Sequence, residues 1–516
     1  MSKRVFSRLR SLRKRFLRRL LIAMMLLLQI LLIVLMLTGV LRSPVLSALL
    51  HAFTVVTALH LLTRCEGAPF QLSLIFLLLL FPLFGGIFYW LLHAHTDTVG
   101  YRRRLAAADA KGRDALRLTE SDYATASAVM PQQKPLMRYL TTFAAFPVCK
   151  NTETQYFSTG KEMLSALLDE LKNAKRYIFL EYFIIEEGEM WGAILAVLKE
   201  RAAAGVDVRV IYDDVGCLLT LPVDYPEVLR GYGIRCARFN PFRPFLSTVQ
   251  NNRDHRKITV IDGKVAFTGG INLADEYINR KIKHGHWKDA AIRCRGDAAQ
   301  SFSVMFLQMW EILVGEATPY DAYLPEVSYT PRSPWNGWVQ VYADSPLDEE
   351  NVSEHVYLQW IRQAQDYLYL TTPYLIVGES ILSALKLAAK SGVDVRIITP
   401  HTPDKHWVHF TTRSYYRELI GAGVKIYEYS DGFIHAKNLV SDDCVASVGT
   451  TNLDFRSLYL QFECGVCLYR TDTVDAVKKD FLHTLQRCRC ISLSECRASL
   501  VIRLLQNVCR LFAPLM

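Results

Sequence analysis

The pattern His-x-Lys-x4-Asp occurs twice in this 516-residue chain, 180 positions apart. His255, Lys257 and Asp262 stand in "RDHRKITVIDGK", and His435, Lys437 and Asp442 in "GFIHAKNLVSDD". The repetition extends beyond the motif. "AKRYIFLEYFII" (174–185) is answered by "AQDYLYLTTPYLIV" (364–377), and "AGVDVRVIYDD" (204–214) by "SGVDVRIITPH" (391–401). Each copy reads as strand, helix, glycine turn and buried strand, the order of a right-handed βαβ unit. Offsets of 190, 187 and 180 residues describe two related halves with small differences in length. Such halves pack naturally about a pseudo-twofold axis, which brings equivalent strands together at the centre. The chain is thus constrained to an α/β fold in which two half-sites face each other.

On a strand, residues two apart share a face, so each His and Lys project together while Arg256 or Ala436 points away. Two lysines in one cleft suit an anion such as a phosphodiester. Two histidines suit a nucleophile and its acid/base partner. A glycine-containing turn follows each motif, "FTGGIN" (267–272) and "SVGTTN" (447–452), and places Asn272 and Asn452 as neutral donors for an oxyanion. A lone His-x-Lys on a strand is usually a solvated face; two copies at equivalent places in a repeat, with matching Gly and Asn, reverse that reading. Asp262 and Asp442 complete the motif, yet each precedes a turn ("DGK", "DDC"), so capping that turn is the work their position favours.

The charge is divided along the chain. Residues 1–104 carry 14 Lys/Arg against Glu66 and Asp97, a net +12, while the other 412 residues hold 46 basic and 48 acidic groups. That −2 balance lacks the basic footprint of a nucleic-acid binder. The basic excess adjoins apolar runs instead. Leu20 to Leu41 is an uncharged stretch of 22 residues, long enough to cross a bilayer and too long for a signal peptide. Val45 to Thr63 is a weaker candidate with two histidines, and Phe70 to His93 a strong one with Tyr89 and Trp90 suited to an interface. Nine basic residues before Leu20 favour a cytoplasmic N-terminus near anionic headgroups. Three spans would then put the catalytic region outside, and two would keep it inside.

Twelve cysteines show no framework spacing, although Cys464 and Cys467 form a CxxC followed by Cys488, Cys490 and Cys496. "QFECGVCLY" reads as a strand, where positions three apart point to opposite faces, so buried thiols fit it better than a zinc site. The tail "SLVIRLLQNVCRLFAPLM" alternates Arg with apolar residues at helical spacing. It reads as an interfacial amphipathic helix or as a core helix.

Both motifs resemble the HKD motifs of the phospholipase D superfamily, His-x-Lys-x4-Asp-x6-Gly-[Ser/Gly/Thr]-x-Asn. Six residues lead from Asp262 to Gly269, Gly270 and Asn272, and from Asp442 to Gly449, Thr450 and Asn452; Gly270 and Thr450 replace the commoner Ser. "DGFIHAK", "TTNLDFRSLYLQFE", "DHRK", "GGINLADEY" and "HWKDAAIRCRG" resemble bacterial cardiolipin synthases more closely still. "GAPFQLSLIFLLLLFPLFGGIFYWLL" resembles the membrane-anchoring hairpin of that family, and 20–41 the extra span of some members. In the superfamily an acid after each motif orients its histidine, which by position implies Asp289 and Glu463. An acid beside an imidazole fixes its tautomer and raises its pKa.

The resemblance implies N-terminal transmembrane helices followed by two homologous phospholipase D-type α/β halves. The expected division is a basic tail (1–19), a transmembrane region (20–93, with spans near 20–41, 45–63 and 70–92), a linker (94–130), the first half (131–330), the second half (331–490) and an amphipathic tail (491–516). It implies a multi-pass protein of the bacterial cell membrane whose partners are phosphatidylglycerol and cardiolipin. The implied reaction is phosphatidyl transfer between two phosphatidylglycerols, giving cardiolipin and glycerol through a phosphohistidine on His255, with His435 as acid/base. Lys257, Lys437, Asn272 and Asn452 would hold the phosphate. No cofactor is expected, since phosphodiester replaces phosphodiester and the sequence shows no carboxylate cluster for Mg²⁺. Rival readings are a hydrolytic phospholipase D, transfer to another alcohol, a nuclease of the superfamily, and a non-enzymatic membrane scaffold, which has no need of two intact His-Lys pairs.

Overall fold

In a computed structural model the two sequence repeats become two sheets of matching strand order. The structure describes residues 44–515 except 64–66, 82–84, 88, 91–97, 117–119, 243–250, 325–336 and 349, together with positions 24, 27, 30 and 31. The first sheet is built from β1 (Thr152–Phe157), β2 (Tyr177–Tyr182), β3 (Asp207–Asp213), β4 (Arg235–Phe239), β5 (Lys257–Ile261), β6 (Val265–Gly269) and β7 (Ala291–Gly296). The second uses β8 (Trp338–Asp344), β9 (Tyr367–Thr371), β10 (Asp394–Pro400), β11 (Lys425–Tyr429), β12 (Asn438–Ser441), β13 (Val445–Gly449) and β14 (Gln461–Tyr469). Their orders are β1-β7-β6-β5-β2-β3-β4 and β8-β14-β13-β12-β9-β10-β11, position for position the same. Val148–Cys149 extends the second sheet beyond β8, and Cys488–Cys490 extends it beyond β11.

The βαβ expectation holds in both halves. β2 and β3 run parallel, as do β9 and β10. Their connections are the helices α4 (Glu189–Ala203) and α6 (Glu379–Lys390). Strands buried on both faces need continuous apolar runs, and "YIFLEY" and "YLYLT" supply them.

The core lies in three parts. Tyr177, Phe179, Val260 and Ile292 of the first half meet Val341, Val440, Val448 and Val466 of the second in one shared interior. Into this interior the helix α5 (Ala298–Val314) buries one flank, and α8 (Asp472–Leu485) another. Separate outer cores lie beneath α4 and α6. Cys464 belongs to the shared interior and Cys467 to the outer core, so the CxxC thiols point to opposite faces of β14, as the strand reading requires.

Before the first half lie α1 (Pro44–Leu62), α2 (Ala68–Leu80) and α3 (Thr98–Leu116). Among the described residues, no helix is long and apolar enough to cross a membrane. The 19-residue α1 carries His51 and His60 within its apolar run, and the 13 residues of α2 fall well short of the ~20 that a bilayer demands. The stretch 20–41 lies almost wholly outside the described residues. The remaining helices used below are α7 (His406–Gly421) and α9 (Leu500–Phe512).

The motif aspartates act in the frame of each half. Asp262 accepts hydrogen bonds from the backbone N–H groups of Lys175, Arg176 and Tyr177, at 2.7–2.9 Å. Asp442 repeats the arrangement with Gln365, Asp366 and Tyr367. Each sits at φ near +50° in the turn after the motif strand, a conformation that aspartate tolerates, and ties that turn to the start of the neighbouring strand. Asp262→Ala removes an acceptor from several N–H groups at once. It should lower stability by about 2 kcal/mol or more in denaturant titration. The folded fraction should keep its kcat, and a large loss of kcat at unchanged stability would contradict this role.

Candidate active site

Each histidine is delivered to the other half. The extended segment Arg253–Asp254, just before His255, leaves the first sheet and pairs in parallel with Gln461–Phe462 at the start of β14. The His255 N–H then donates to the Phe462 carbonyl at 3.0 Å. Reciprocally, Gly432–Ile434 pairs in parallel with His286–Lys288, and the His435 N–H donates to the Lys288 carbonyl at 2.7 Å. The residue following each of these partners is an acid, Glu463 in one case and Asp289 in the other.

This interlock crosses the pairs. Nδ1 of His255 lies 2.9 Å from Glu463, and Nδ1 of His435 lies 2.7 Å from Asp289. An acid orienting the histidine of its own motif was the expectation; the structure instead pairs each histidine with the acid of the opposite half. Engaging Nδ1 leaves Nε2 of each ring for chemistry. Both lysines turn back to the carbonyl of their own histidine, Lys257 to His255 and Lys437 to His435.

The cluster is nearly closed, with His255 and His435 only 6% and 7% exposed. Aromatic rings form much of the enclosure. Phe183 lies 5.1 Å from the His255 ring, and Tyr277 and Trp287 each lie 5.6 Å from the His435 ring. Burial, helped by the charges of Lys257 and Lys437, holds His255 well below the usual imidazole range. Burial and Lys437 push His435 down to about 4, against the pull of Asp289. Burial also lowers Lys257 to about 8 and Lys437 to about 7, although Glu463 and Asp289 oppose the shift.

The two acids differ. Burial raises both, but for Asp289 it is overcome by His435, Lys437 and hydrogen bonds from His435 and the Ala290 N–H, which leave the carboxyl below its ordinary value. For Glu463 burial prevails over Lys257 and the Thr450 hydroxyl, and its pKa rises to about 7. The residues after the motif glycines follow this difference. Thr450 donates to the Glu463 carboxylate. At Gly270 an added Cβ would stand 2.1 Å from Asp289 Oδ1, so the missing side chain is the space the shorter acid occupies.

The asparagines are not equivalent either. Asn272 accepts from the Ile184 N–H at 3.0 Å and donates to the Tyr277 hydroxyl at 2.6 Å, so it steadies the ring packed on His435. The carboxamide oxygen of Asn452 is buried without a hydrogen-bond partner among the described residues.

Sequence reading missed the frame behind His255. Arg256 does point away from the lysine, but into a buried ion group with Asp254 and Glu181. Asp213 holds the same segment through the Asp254 N–H at 3.1 Å and through Arg253. Ala436 stands at the equivalent of Arg256, so the repeat itself carried no signal of this network. A separate cavity of about 190 Å³, lined in part by Asp109, Arg256, Asp344 and Asp348, contains neither histidine.

Two similar halves, each lending a His-Lys pair to one closed centre, define a protein of the phospholipase D-like class. The family described as "Cardiolipin synthase, PLD-like domain" matches residues 167–310 and 357–485. A cardiolipin synthase of Geobacillus sp. is 40% identical over 387 residues, covering 74% of this chain and 76% of its own length. An uncharacterized protein of Streptococcus mutans is 46% identical over 382 residues, 74% of this chain and 82% of its own. The chain belongs to the cardiolipin synthase family. Among solved structures, phosphatidylserine synthase of Haemophilus influenzae shares the fold, with a TM-score of 0.57 and 15% identity over 74% of this chain and 99% of its own.

Gly270→Ala should displace Asp289 and release His435 from its orientation. Transferase turnover is then expected to fall by about 10–100-fold, the usual cost of losing such support. Near-wild-type turnover with a folded protein would show that Asp289 moves freely.

Proposed function

We propose that this protein is a cardiolipin synthase that transfers a phosphatidyl group from one phosphatidylglycerol to another and releases glycerol. What carries the reading is the pair of crossed histidine–carboxylate contacts beside two lysines, in a chain of this family. The phosphodiester enters as an anion between Lys257 and Lys437, which supply the positive field and donors for the pentacoordinate oxygens. His255 attacks phosphorus through Nε2, the glycerol oxygen leaves with a proton from His435, and a phosphatidyl-histidine forms. A hydroxyl of the second phosphatidylglycerol then gives its proton to His435 and displaces His255. Asn272 supports this through Tyr277, and Asn452 offers a further donor to the phosphate.

The difference between the acids favours these roles. Asp289 stays ionised beside His435 and pulls against the burial and the Lys437 charge that lower this histidine to about 4, so His435 takes up the proton it donates once the phosphodiester anion offsets Lys437. Neutral His255 suits the nucleophile. When Glu463 is ionised it accepts the Nδ1 proton and leaves the Nε2 lone pair free. Protonated, it donates to Nδ1 and puts the ring proton on Nε2, which blocks attack.

The N-terminal region, with spans near 20–41, 45–63 and 70–92, is assigned to the cell membrane, and 131–330 and 331–490 to the two catalytic halves. In support, α1 and α2 expose Val45, Leu49, Val55, Leu59, Leu72 and Leu79. A lipid-facing helix needs such a surface.

The deciding experiment incubates purified protein with phosphatidylglycerol vesicles in EDTA without nucleotide, beside His255→Ala, and reads lipids by mass spectrometry. Cardiolipin and free glycerol are expected from the wild type alone. Phosphatidic acid would make water the acceptor. The pH profile tests the charge assignments. As pH falls through about 7, Glu463 gains a proton and His255 loses its attacking tautomer. As pH rises through 7–8, the lysines lose the charge that binds phosphate. A narrow bell in kcat/KM near pH 7 is therefore expected. Lys437→Arg should move the alkaline limb upward; a profile flat to pH 9 would overturn the lysine assignment.

A further inference from the structure

The C-terminal helix α9 is mounted with its apolar side outward. Ser499 caps its start, with Oγ accepting from the Ile502 N–H at 3.3 Å. The helix meets α7 through Arg510. Arg510 pairs with Glu418 of α7 at 3.4 Å and lies 4.2 Å over the Tyr415 ring. The leucines face away, with Leu500 76% and Leu504 63% exposed, and Val501 and Leu505 beside them. A helix seated on a globular surface in water turns its apolar stripe inward. Here no described residue covers the sector that would form that stripe.

The surroundings say what covers it. From Cys496 to the end of the chain there are three arginines and no acid, and Arg497, just before the helix, and Arg503, within it, are exposed. An apolar strip with arginines nearby matches acyl chains beneath anionic headgroups. The strip also continues onto another apolar surface. The Ser73 hydroxyl of α2 donates to the Leu511 carbonyl at 2.5 Å, and Phe76 packs on Phe512 at 5.7 Å. On α2, Leu72, Leu79 and Leu80 are likewise exposed.

We propose that α9 lies in the surface of an anionic bilayer with Leu500, Val501, Leu504 and Leu505 among the acyl chains, and so holds the mouth of the catalytic centre at the lipid surface. The link to the centre is α7. Its C-terminal part carries α9 through Tyr415 and Glu418, while Lys405 at its start lies 5.4 Å from the Tyr374 ring. Tyr374 lies 6.5 Å from Phe433, which is 5.9 Å from the His435 ring. One helix thus spans from the lipid-facing strip to the wall of the site. A phosphatidylglycerol needs only to lift its headgroup from the plane to reach the lysines. This inference rests on the reading of phosphatidylglycerol as substrate.

The test uses the full chain reconstituted in vesicles that carry a phosphatidylglycerol with a photoreactive acyl chain. After illumination, labelled peptides from 500–508 are expected by mass spectrometry. In the same vesicles Leu500→Glu/Leu504→Glu should raise the phosphatidylglycerol fraction needed for half-maximal rate by about tenfold. Its turnover of monomeric short-chain phosphatidylglycerol should stay unchanged, because both leucines are exposed and remote from the histidines. Label on residues 44–80 but none on 500–508 would overturn the proposal. So would crosslinks of 500–508 to a second copy or to residues 20–41, or an equal loss of both activities. Label at 500–508 without any cardiolipin from the wild type would leave the surface assignment standing and defeat the proposed reaction instead.

Discussion

The crossed contacts between imidazole and carboxylate bind this architecture together. Glu463 is wholly buried, and a buried carboxylate without a partner is expensive enough to reshape what surrounds it. Its partner is His255, which belongs to the other half, and Asp289 and His435 repeat the exchange. Each acid takes one hydrogen bond from its own half, from Thr450 or the Ala290 N–H, and its imidazole partner from the other. The parallel pairings of Arg253–Asp254 with β14, and of Gly432–Ile434 with His286–Lys288, follow from the same demand. They carry each histidine across the pseudo-twofold axis and satisfy its backbone N–H on arrival. The shared interior between the sheets then fixes the separation at which both contacts close.

Symmetry of backbone coexists with asymmetry of charge. The strand orders coincide, yet one acid is Glu with a threonine hydroxyl beside it, and the other is Asp seated against Gly270. The longer acid, with burial the larger influence, sits near neutrality, while the shorter one stays ionised. A two-step displacement needs two histidines in opposite protonation states, and an exact duplicate would give both the same environment. In the empty site burial lowers both imidazoles, and the differences at the residue after the motif glycine and in the length of the acid separate the two carboxyls, which hold opposite biases on their histidines.

Much of this was legible in the sequence because a repeat is a long-range observable. The offsets place equivalent strands and predict two halves of one fold, and the motif spacing brings His255, Lys257, His435 and Lys437 together. That Asp262 and Asp442 act in the frame was readable from their place before a turn, but the expected capping of that turn was not what they do: their carboxylates accept from N–H groups at the start of the neighbouring strand. What escaped reading depends on contacts between the halves. The short pairings at 253–254 and 432–434 are two or three residues long and have no periodic signal, so the crossing of acids and histidines was invisible. Arg256 reads as a solvated strand position until Glu181 and Asp254 are seen around it. In the tail, the sequence pattern left interfacial and core helices equally open. The contacts of Arg510, Leu511 and Phe512 show which side meets the protein.

The buried lysines extend the same argument to substrate binding. Burial leaves both ammonium groups poorly hydrated and lowers both toward neutrality, with the charge of Lys257 adding to the shift at Lys437. A phosphodiester placed between them removes the repulsion and restores their protonation, so the anion completes a charge set that the empty site holds incompletely. Glu463 and Asp289 oppose the lysines at a distance, but each is committed to a histidine and cannot neutralise them by contact. In the proposed reaction the site thus receives one negative charge, that of the phosphodiester. Selectivity for a phosphodiester then arises from the balance among six buried groups, which the fold assembles by exchanging strands between its halves.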